Sequence, residues 1–395
     1  MKSLSINSSD KLLSTINLPP SKSYANRALI IAALNKKSNT LFNLPEASDV
    51  TNLLNCFKGI GLETKSVRGG LQIINSFPSC EGDGADLDVG DGGTTARFLA
   101  AMLLLGKKTY TLKLGKRLKD RPWSHFISLV KLLGAKAELV DSFLKLQGPL
   151  KFPPNLEVDC SETTQFATAF QLIFFDKEVK VSPLNLKSSI SYWNMTEEVI
   201  REMNANDHYH IPMDWSSASY PLAFGALNQT IEFPGLKSDE FQADCKFLDI
   251  LESYEAISYK ADGSVVVKPA RKSGPLSFDV SDALDLVPSL SFFLAHIPGI
   301  HELKGIKNLH FKESDRLKEV IHLLKIFGRS STSKDTSLII EGHEKKITDK
   351  INLIMPDDHR MVMTGTLFLL HHNGGSIEPT QAVEKSYPEF FTIIN

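Results

Sequence analysis

The residues able to do chemistry are cations and hydroxyls set at the starts of apolar segments. In Leu18-Pro-Pro-Ser-Lys-Ser-Tyr-Ala-Asn-Arg-Ala-Leu-Ile-Ile-Ala-Ala-Leu34, two prolines end an extended lead-in, and Ser21 or Ser23 stands where a helix cap belongs. Ala28 to Leu34 is apolar on nearly every face, which predicts a buried helix. Its first turn nevertheless carries Lys22, Ser23, Asn26 and Arg27. Cations there add to N–H groups that already attract anions, so an anion site is expected rather than surface charges reaching for water.

The same pattern recurs along the chain. Gly90, Gly92 and Gly93 lead into Thr94, Thr95 and Arg97, and glycines let a backbone approach a ligand closely. Thr163, Thr164 and Gln165, then Ser216 and Ser217, then Asp285, then His359 and Arg360 open later apolar segments. Arg121 precedes Pro122, a residue suited to a first helical turn. Lys312 and Arg316 are four apart, which predicts one shared helix face. Taken alone, the stretch around Lys312 suggests a solvated, salt-bridged helix start, and Lys385 a surface lysine as readily as a ligand. Together, Lys22, Arg27, Arg97, Arg121, Lys312, Arg316, Arg360 and Lys385 would concentrate positive charge in a chain of net charge −2. Two ligands, each with one phosphate and one carboxylate, would carry about −5 to −6 and match it.

The elements that must position these residues form a repeat. Apolar helices are expected from Ser21, Gly92, Glu162, Trp215, Asp285 and Asp357, spaced about 70 residues apart except for one gap of about 53. Amphipathic helices fall between them at 49–57, 124–133, 196–203, 245–251 and 316–327, several ending at glycine. Strands follow, such as 135–140 and 264–268. The expected fold class is α/β, a repeated β–α–β–α–β–β unit. The short gap and Ile211-Pro212 place a change of domain near Asp214, and the strand before Pro19 is expected to join the last copy.

Composition sets the outer limits. With 42% hydrophobic and 23% charged residues, the chain suits a soluble globular protein of more than one domain. Its balanced charge gives no reason to expect nucleic acid or a membrane partner. No apolar run approaches membrane-spanning length, and Met1 to Lys11 has no signal-peptide core. Cys56, Cys80, Cys160 and Cys245 form no CxxC pair and suggest free thiols in a reducing cytoplasm.

The stretches LPPSKSYANRAL, GDGGTTARFLAA, DRPWSHFISLVKLLGA, SETTQF, MDWSSASYPLA, NLHFKESDRL, DDHRM and EKSYPEFF resemble the 3-phosphoshikimate 1-carboxyvinyltransferase (EPSP synthase) family of enolpyruvyl transferases. They run in the family's order across essentially the whole chain. The resemblance implies two domains, each of three βαβαββ units, with a cleft between them. Residues 20–214 would bind shikimate 3-phosphate. Residues 1–19 and 215–395 would form a discontinuous domain with the catalytic Asp and the phosphoenolpyruvate-carboxylate arginines. It also implies enolpyruvyl transfer from phosphoenolpyruvate to the 5-hydroxyl of shikimate 3-phosphate, releasing phosphate, on the route to chorismate and aromatic amino acids. The expected partners are these two small molecules alone. The protein would be a cytoplasmic monomer with no nucleotide cofactor and no metal.

Carried over by position, Ser23 and Arg27 would hold the shikimate carboxylate. Thr163, Thr164, Ser189 and Tyr192, with Gln165 and Lys22, would hold its 3-phosphate. Asp285, Asn308 and Lys312 would meet ring hydroxyls. Lys22, Gly93, Arg121, Gln165, Arg316, Arg360 and Lys385 would surround phosphoenolpyruvate. Asp285 is the expected base, with helix capping as its bland alternative, and either Glu313 or Lys22 the acid. Family members commonly have Asn at Asp91, Arg at His310, Pro or Leu at Phe98, and Ser at Thr163 and Thr164. Asp91 is expected to cap the helix that follows it rather than to face a ligand. The related UDP-N-acetylglucosamine enolpyruvyltransferases carry a loop cysteine that 115–122 lacks. A binding protein that had lost catalysis would not be expected to keep Lys22, Asp285, Glu313, Arg316 and Lys385 together.

Overall fold

Helices with apolar residues on every side can only be satisfied inside a core, and six of them organise this chain. The computed structural model describes residues 2–37, 39–334 and 336–395. These fall into two compact units, Pro20–Pro212 and a discontinuous one made of the residues up to Pro19 with Met213–Asn395.

In unit 20–212 the helices Lys22–Leu34, Gly93–Leu103 and Gln165–Ile173 pack on one another, and all are buried over most of their length. Around them lie sheets of one design. In the most complete copy, Asp86–Gly90 pairs parallel with Thr109–Leu114, which pairs antiparallel with Phe143–Gln147 and through it with Lys136–Val140. With Gly93–Leu103 and Ser124–Leu132 as connections, that is the strand–helix–strand–helix–strand–strand order read from the sequence. The sheet of Asn39–Phe42, Gly70–Ile73 and Thr64–Val67 takes its parallel strand, His208–His210, from the far end of the unit. The third copy keeps only the parallel pair Asn155–Asp159 and Lys180–Leu184, followed by the helix Ile190–Ala205. The helix expected at 196–203 is the second half of that longer one.

The other unit repeats the scheme around Trp215–Asn228, Val287–Leu294 and His359–His371, which also pack together. Ser277–Asp279, Gly299–Lys304, Ser337–Gly342 and Ser330–Lys334 form its full sheet. Ile351–Ile354 pairs parallel with Gly375–Glu378, and Leu4–Ile6 completes that last copy from the chain's beginning. The expected helix at 245–251 is instead one tight turn, Ala243–Lys246, and a short helix, Phe247–Ser253. No described helix is long and apolar enough to cross a membrane.

The helix starts differ between the units. Asp214, Asp315 and Asp358 accept from the first-turn amides of Ser216, Lys318 and Arg360 at 2.9, 3.2 and 3.0 Å. The cap residues Ser21, Gly92 and Thr164 bond no amide of the helices that follow them, though Thr163 Oγ1 accepts from the Gln165 amide. Ser21 occupies the cap position without bonding an amide, which leaves the N–H groups at that helix start available to anions.

One buried polar cluster serves stability. The helix His359–His371 ends at His371, and the rings of both His371 and His372 reach His296. His296 Nδ1 faces the Phe292 carbonyl at 2.7 Å, and the Ile347 amide donates to His372 Nδ1 at 2.8 Å. A carbonyl only accepts and an amide N–H only donates, so His372 Nε2–H donates to His296 Nε2, 3.0 Å away, with both rings neutral. Burial, aided by Arg329 and Lys346, holds His372 at about 3. Burial, Lys346 and His372 hold His371 at about 2. The unfolded rings titrate near ~6.5, so the stability they contribute is complete above that pH and is lost as pH falls towards the folded values. The urea midpoint should therefore fall between about pH 7.5 and about pH 5, and fall less in His372→Asn, whose side chain cannot take up a proton. Identical pH dependence in the two proteins would contradict this.

Candidate active site

The discontinuous unit gathers its charges on Asp285. Asp285 Oδ1 accepts from Arg316 Nη1 at 2.7 Å and Lys312 Nζ at 3.2 Å, and Oδ2 from Arg360 Nη2 at 3.1 Å. Arg316 is 2% exposed and reaches Asp358 with Nε at 2.8 Å and Nη2 at 3.2 Å, a two-pronged pairing that Ser314 Oγ supports at 2.9 Å. Burial pushes the Asp285 carboxyl up, but Arg360, Lys312 and Arg316 together overcome it and hold it well below the usual carboxylate range. Burial outweighs Asp285 at Lys312 and lowers its ammonium, while Asp358 and Asp285 outweigh burial at Arg316 and raise its guanidinium.

Three sequence expectations need correction here. The helix begins at Arg316, so Lys312 precedes it, and the two cations share a carboxylate rather than a helix face. The stretch is no solvated helix start, because Arg316 is buried at its centre. Nor does Asp285 cap a helix. The helix starts two residues later, at Val287, with Leu286 in the cap position.

Beside this cluster, Glu313 Oε2 lies 2.9 Å from His359 Nδ1, and Glu313 Oε1 lies 3.1 Å from Lys385 Nζ. Lys385 is thus partly buried and paired. Glu313, Asp358 and His359 lie within the spacing a divalent ion takes. Lys385 and Arg316 already supply these carboxylates with positive charge. Asn308 stands in the tight turn Ile306–Phe311 ahead of Lys312. Asp244, buried and bonded to Ser216 Oγ, is raised to about 6 by burial and by Asp285, with Arg360 opposing.

The 20–212 unit holds a second set. Arg27 donates to Thr196 Oγ1 at 2.8 Å and to the carbonyls of Ser23 at 2.8 Å and Tyr192 at 3.0 Å. Its guanidinium lies over Phe98 at 5.4 Å and Tyr192 at 5.7 Å, so Phe98 contributes a ring face where other members have Pro or Leu. Burial pulls Arg27 down to about 10, with Tyr192, Tyr24 and Tyr209 opposing. Lys22 Nζ pairs with Asp49 Oδ2 at 2.9 Å. Thr163 Oγ1 accepts from the Gln165 amide at 3.3 Å, and Thr164 is the buried residue before that helix. Ser189 sits in the left-handed region at φ 58°, a conformation that costs a non-glycine residue about 1 kcal/mol or more. A Cβ on Gly93 would fall 2.3 Å from Arg121 Nη1, so the glycine makes room for that cation at the helix start.

Asp49, Asp358, Asp244 and the pairing of His359 with Glu313 join the site without a signal in the local sequence. So many cations in a chain of net charge −2 did imply counter-acids, but nothing in the spacing said which. Asp91 also departs from expectation. Gly92, not Asp91, precedes the helix, and Asp91 Oδ1 accepts from the amides of Arg117 at 3.1 Å and Leu118 at 3.3 Å. It braces the loop that carries Arg121. His310 pairs with Asp315 at 2.9 Å on the surface. Asp91→Ala should cost about 1–2 kcal/mol of unfolding free energy, and Asp91→Asn, which keeps the accepting oxygen, well under half of that. Equal losses in urea titrations of the two variants would refute the bracing role.

Known proteins are similar to this chain along its length. Residues 6–394 match the family model described as EPSP synthase (3-phosphoshikimate 1-carboxyvinyltransferase). A 3-phosphoshikimate 1-carboxyvinyltransferase of Thermococcus kodakarensis is 30% identical over 97% of this chain and 96% of its own. One of Vibrio campbellii is 27% identical over 99% of this chain and 98% of its own. The solved EPSP synthase of Acinetobacter baumannii superposes with a TM-score of 0.79 over 100% of this chain and 99% of its own, at 19% identity, which speaks for the fold. With the family model spanning nearly every residue, the chain belongs to the EPSP synthase (3-phosphoshikimate 1-carboxyvinyltransferase) family.

Proposed function

We infer that this chain transfers the enolpyruvyl group of phosphoenolpyruvate to the 5-hydroxyl of shikimate 3-phosphate, giving 5-enolpyruvylshikimate 3-phosphate and phosphate. Among the structural observations, the grip of Arg316, Arg360 and Lys312 on Asp285 carries the reading furthest. Two guanidiniums on one carboxylate are the donor set that would hold the planar carboxylate of phosphoenolpyruvate. When that carboxylate takes the arginines, Asp285 loses the cations that depress it. Its basicity rises as the 5-hydroxyl arrives, where a base is needed.

The roles of the other residues follow from their types and surroundings. Asp285 takes the hydroxyl proton, and the oxygen adds to C2 of phosphoenolpyruvate while an acid protonates the methylene carbon. Either Glu313, which lies between His359 Nδ1 and Lys385 Nζ, or Lys22, whose ammonium Asp49 holds, would be that acid. The tetrahedral adduct then expels phosphate and returns a methyl proton, with Lys22, Arg121 and Lys385 offsetting the phosphate charge. Lys312 and Asn308 would orient ring hydroxyls, and Gly93 leaves room for Arg121 beside phosphoenolpyruvate. Ser23, Arg27, Thr163, Thr164, Gln165, Ser189 and Tyr192 would hold shikimate 3-phosphate, on the unit whose cap residues Ser21, Gly92 and Thr164 bond no amide of the helices that follow them. The working form would be a cytoplasmic monomer.

A phosphate-release assay tests this. Release should require both substrates together. Asp285→Asn should lower kcat by about a thousandfold or more while circular dichroism stays native. Release from phosphoenolpyruvate alone, or an Asp285→Asn protein within tenfold of the parent, would overturn the proposal.

A further inference from the structure

Arg97 lies inside the helix Gly93–Leu103, 0% exposed, with its guanidinium over Phe166 at 4.9 Å and Trp123 at 5.7 Å. Its Nη1 donates to Oε1 of Gln165. Its Nε and Nη2 are buried and meet no acceptor among the described residues. Burial and then Arg121 disfavour its charge, with Glu162 opposing. A cation kept in such surroundings costs stability, so the contact it does make calls for a function.

That contact decides which way an amide points. A guanidinium has only donors, so the atom of Gln165 against it must be the oxygen. The nitrogen is then turned away, and Nε2 donates one hydrogen to Thr94 Oγ1 at 3.0 Å. The second hydrogen remains for a ligand. A flipped amide would press N–H against N–H at Arg97 and lose a charge-assisted bond. It would also aim a carbonyl oxygen at whatever anion the site holds.

We propose that Arg97 is a positioning residue that locks the Gln165 carboxamide with its nitrogen towards the substrates, so that Gln165 donates to an anionic oxygen. This rests on the reading of Gln165 as a substrate contact. Arg97 touches neither substrate itself. It acts through Gln165, and its effect vanishes when Gln165 is removed.

The experiment is a double-mutant cycle read by KM, kcat and thermal midpoint in the phosphate-release assay. Gln165→Ala should raise KM for at least one substrate about tenfold. If it does not, the reading of Gln165 as a contact is wrong. Arg97→Gln, which can accept as well as donate and so permits the flip, should raise the same KM about as much with kcat within about threefold. Arg97→Lys, still only a donor, should stay near the parent. In the Gln165→Ala background, Arg97→Gln should add nothing to KM. An equal rise in both backgrounds, or no rise from Arg97→Gln while Gln165→Ala raises KM, would overturn the proposal and leave the Gln165 contact standing. Should Arg97→Gln not fold, Gln165→Glu decides. With one oxygen held by Arg97, the other must face the anion, so KM should exceed that of Gln165→Ala. A KM equal to or below it would refute the lock.

Discussion

The account depends on one carboxylate shared by three cations. Asp285 bridges Arg316, Arg360 and Lys312, and offsets part of the repulsion among three buried or half-buried like charges. Arg316 carries the arrangement further into the fold, because its other edge binds Asp358. Asp358 in turn caps the helix His359–His371. Breaking one partner of such a buried pair typically costs about 3–5 kcal/mol, since the remaining charge is left without compensation. The site and the start of a core helix are therefore held by the same bonds.

The two units solve the same architectural problem with different chemistry at their helix starts. In the discontinuous unit, aspartates cap two of the three core helices and the cations are drawn onto carboxylates. In the unit 20–212, glycine and helix-start amides stand beside Arg121, while Lys22 is held by Asp49. A shared scaffold thus gives one unit built around a base and its counter-charges, and another whose helix starts leave amide donors for anions.

Much of this was legible in the sequence because it rests on residue type and period. Helices without a polar face had to be buried, and a repeat of about 70 residues had to produce similar sheets. The cations were visible for the same reason, since charge at the start of an apolar helix is conspicuous. Their partners were not. Asp49 lies 27 residues from Lys22 and Asp358 lies 42 from Arg316, separations that only the tertiary fold closes. Local geometry misled twice. Spacing by four suggested a helix face for Lys312 and Arg316 before the helix had begun, and composition suggested a cap for Asp91, whose carboxylate instead found the amides of a neighbouring loop. Shortening of the third copy in the unit 20–212 showed only as the gap of about 53 residues, because a missing hairpin leaves no residues to read.

The central claim is that Asp285 is restrained as a base by the cations that bind substrate, and is released when phosphoenolpyruvate takes them. Carbon-13 carboxyl NMR, with the Asp285 resonance assigned by Asp285→Asn, measures this directly. In the free protein the resonance should titrate below the ordinary aspartate value of about 3.9, and saturating phosphoenolpyruvate should move its midpoint upward by about one unit or more. A midpoint at or above the ordinary value in the free protein, or one that phosphoenolpyruvate leaves unmoved, would contradict the account.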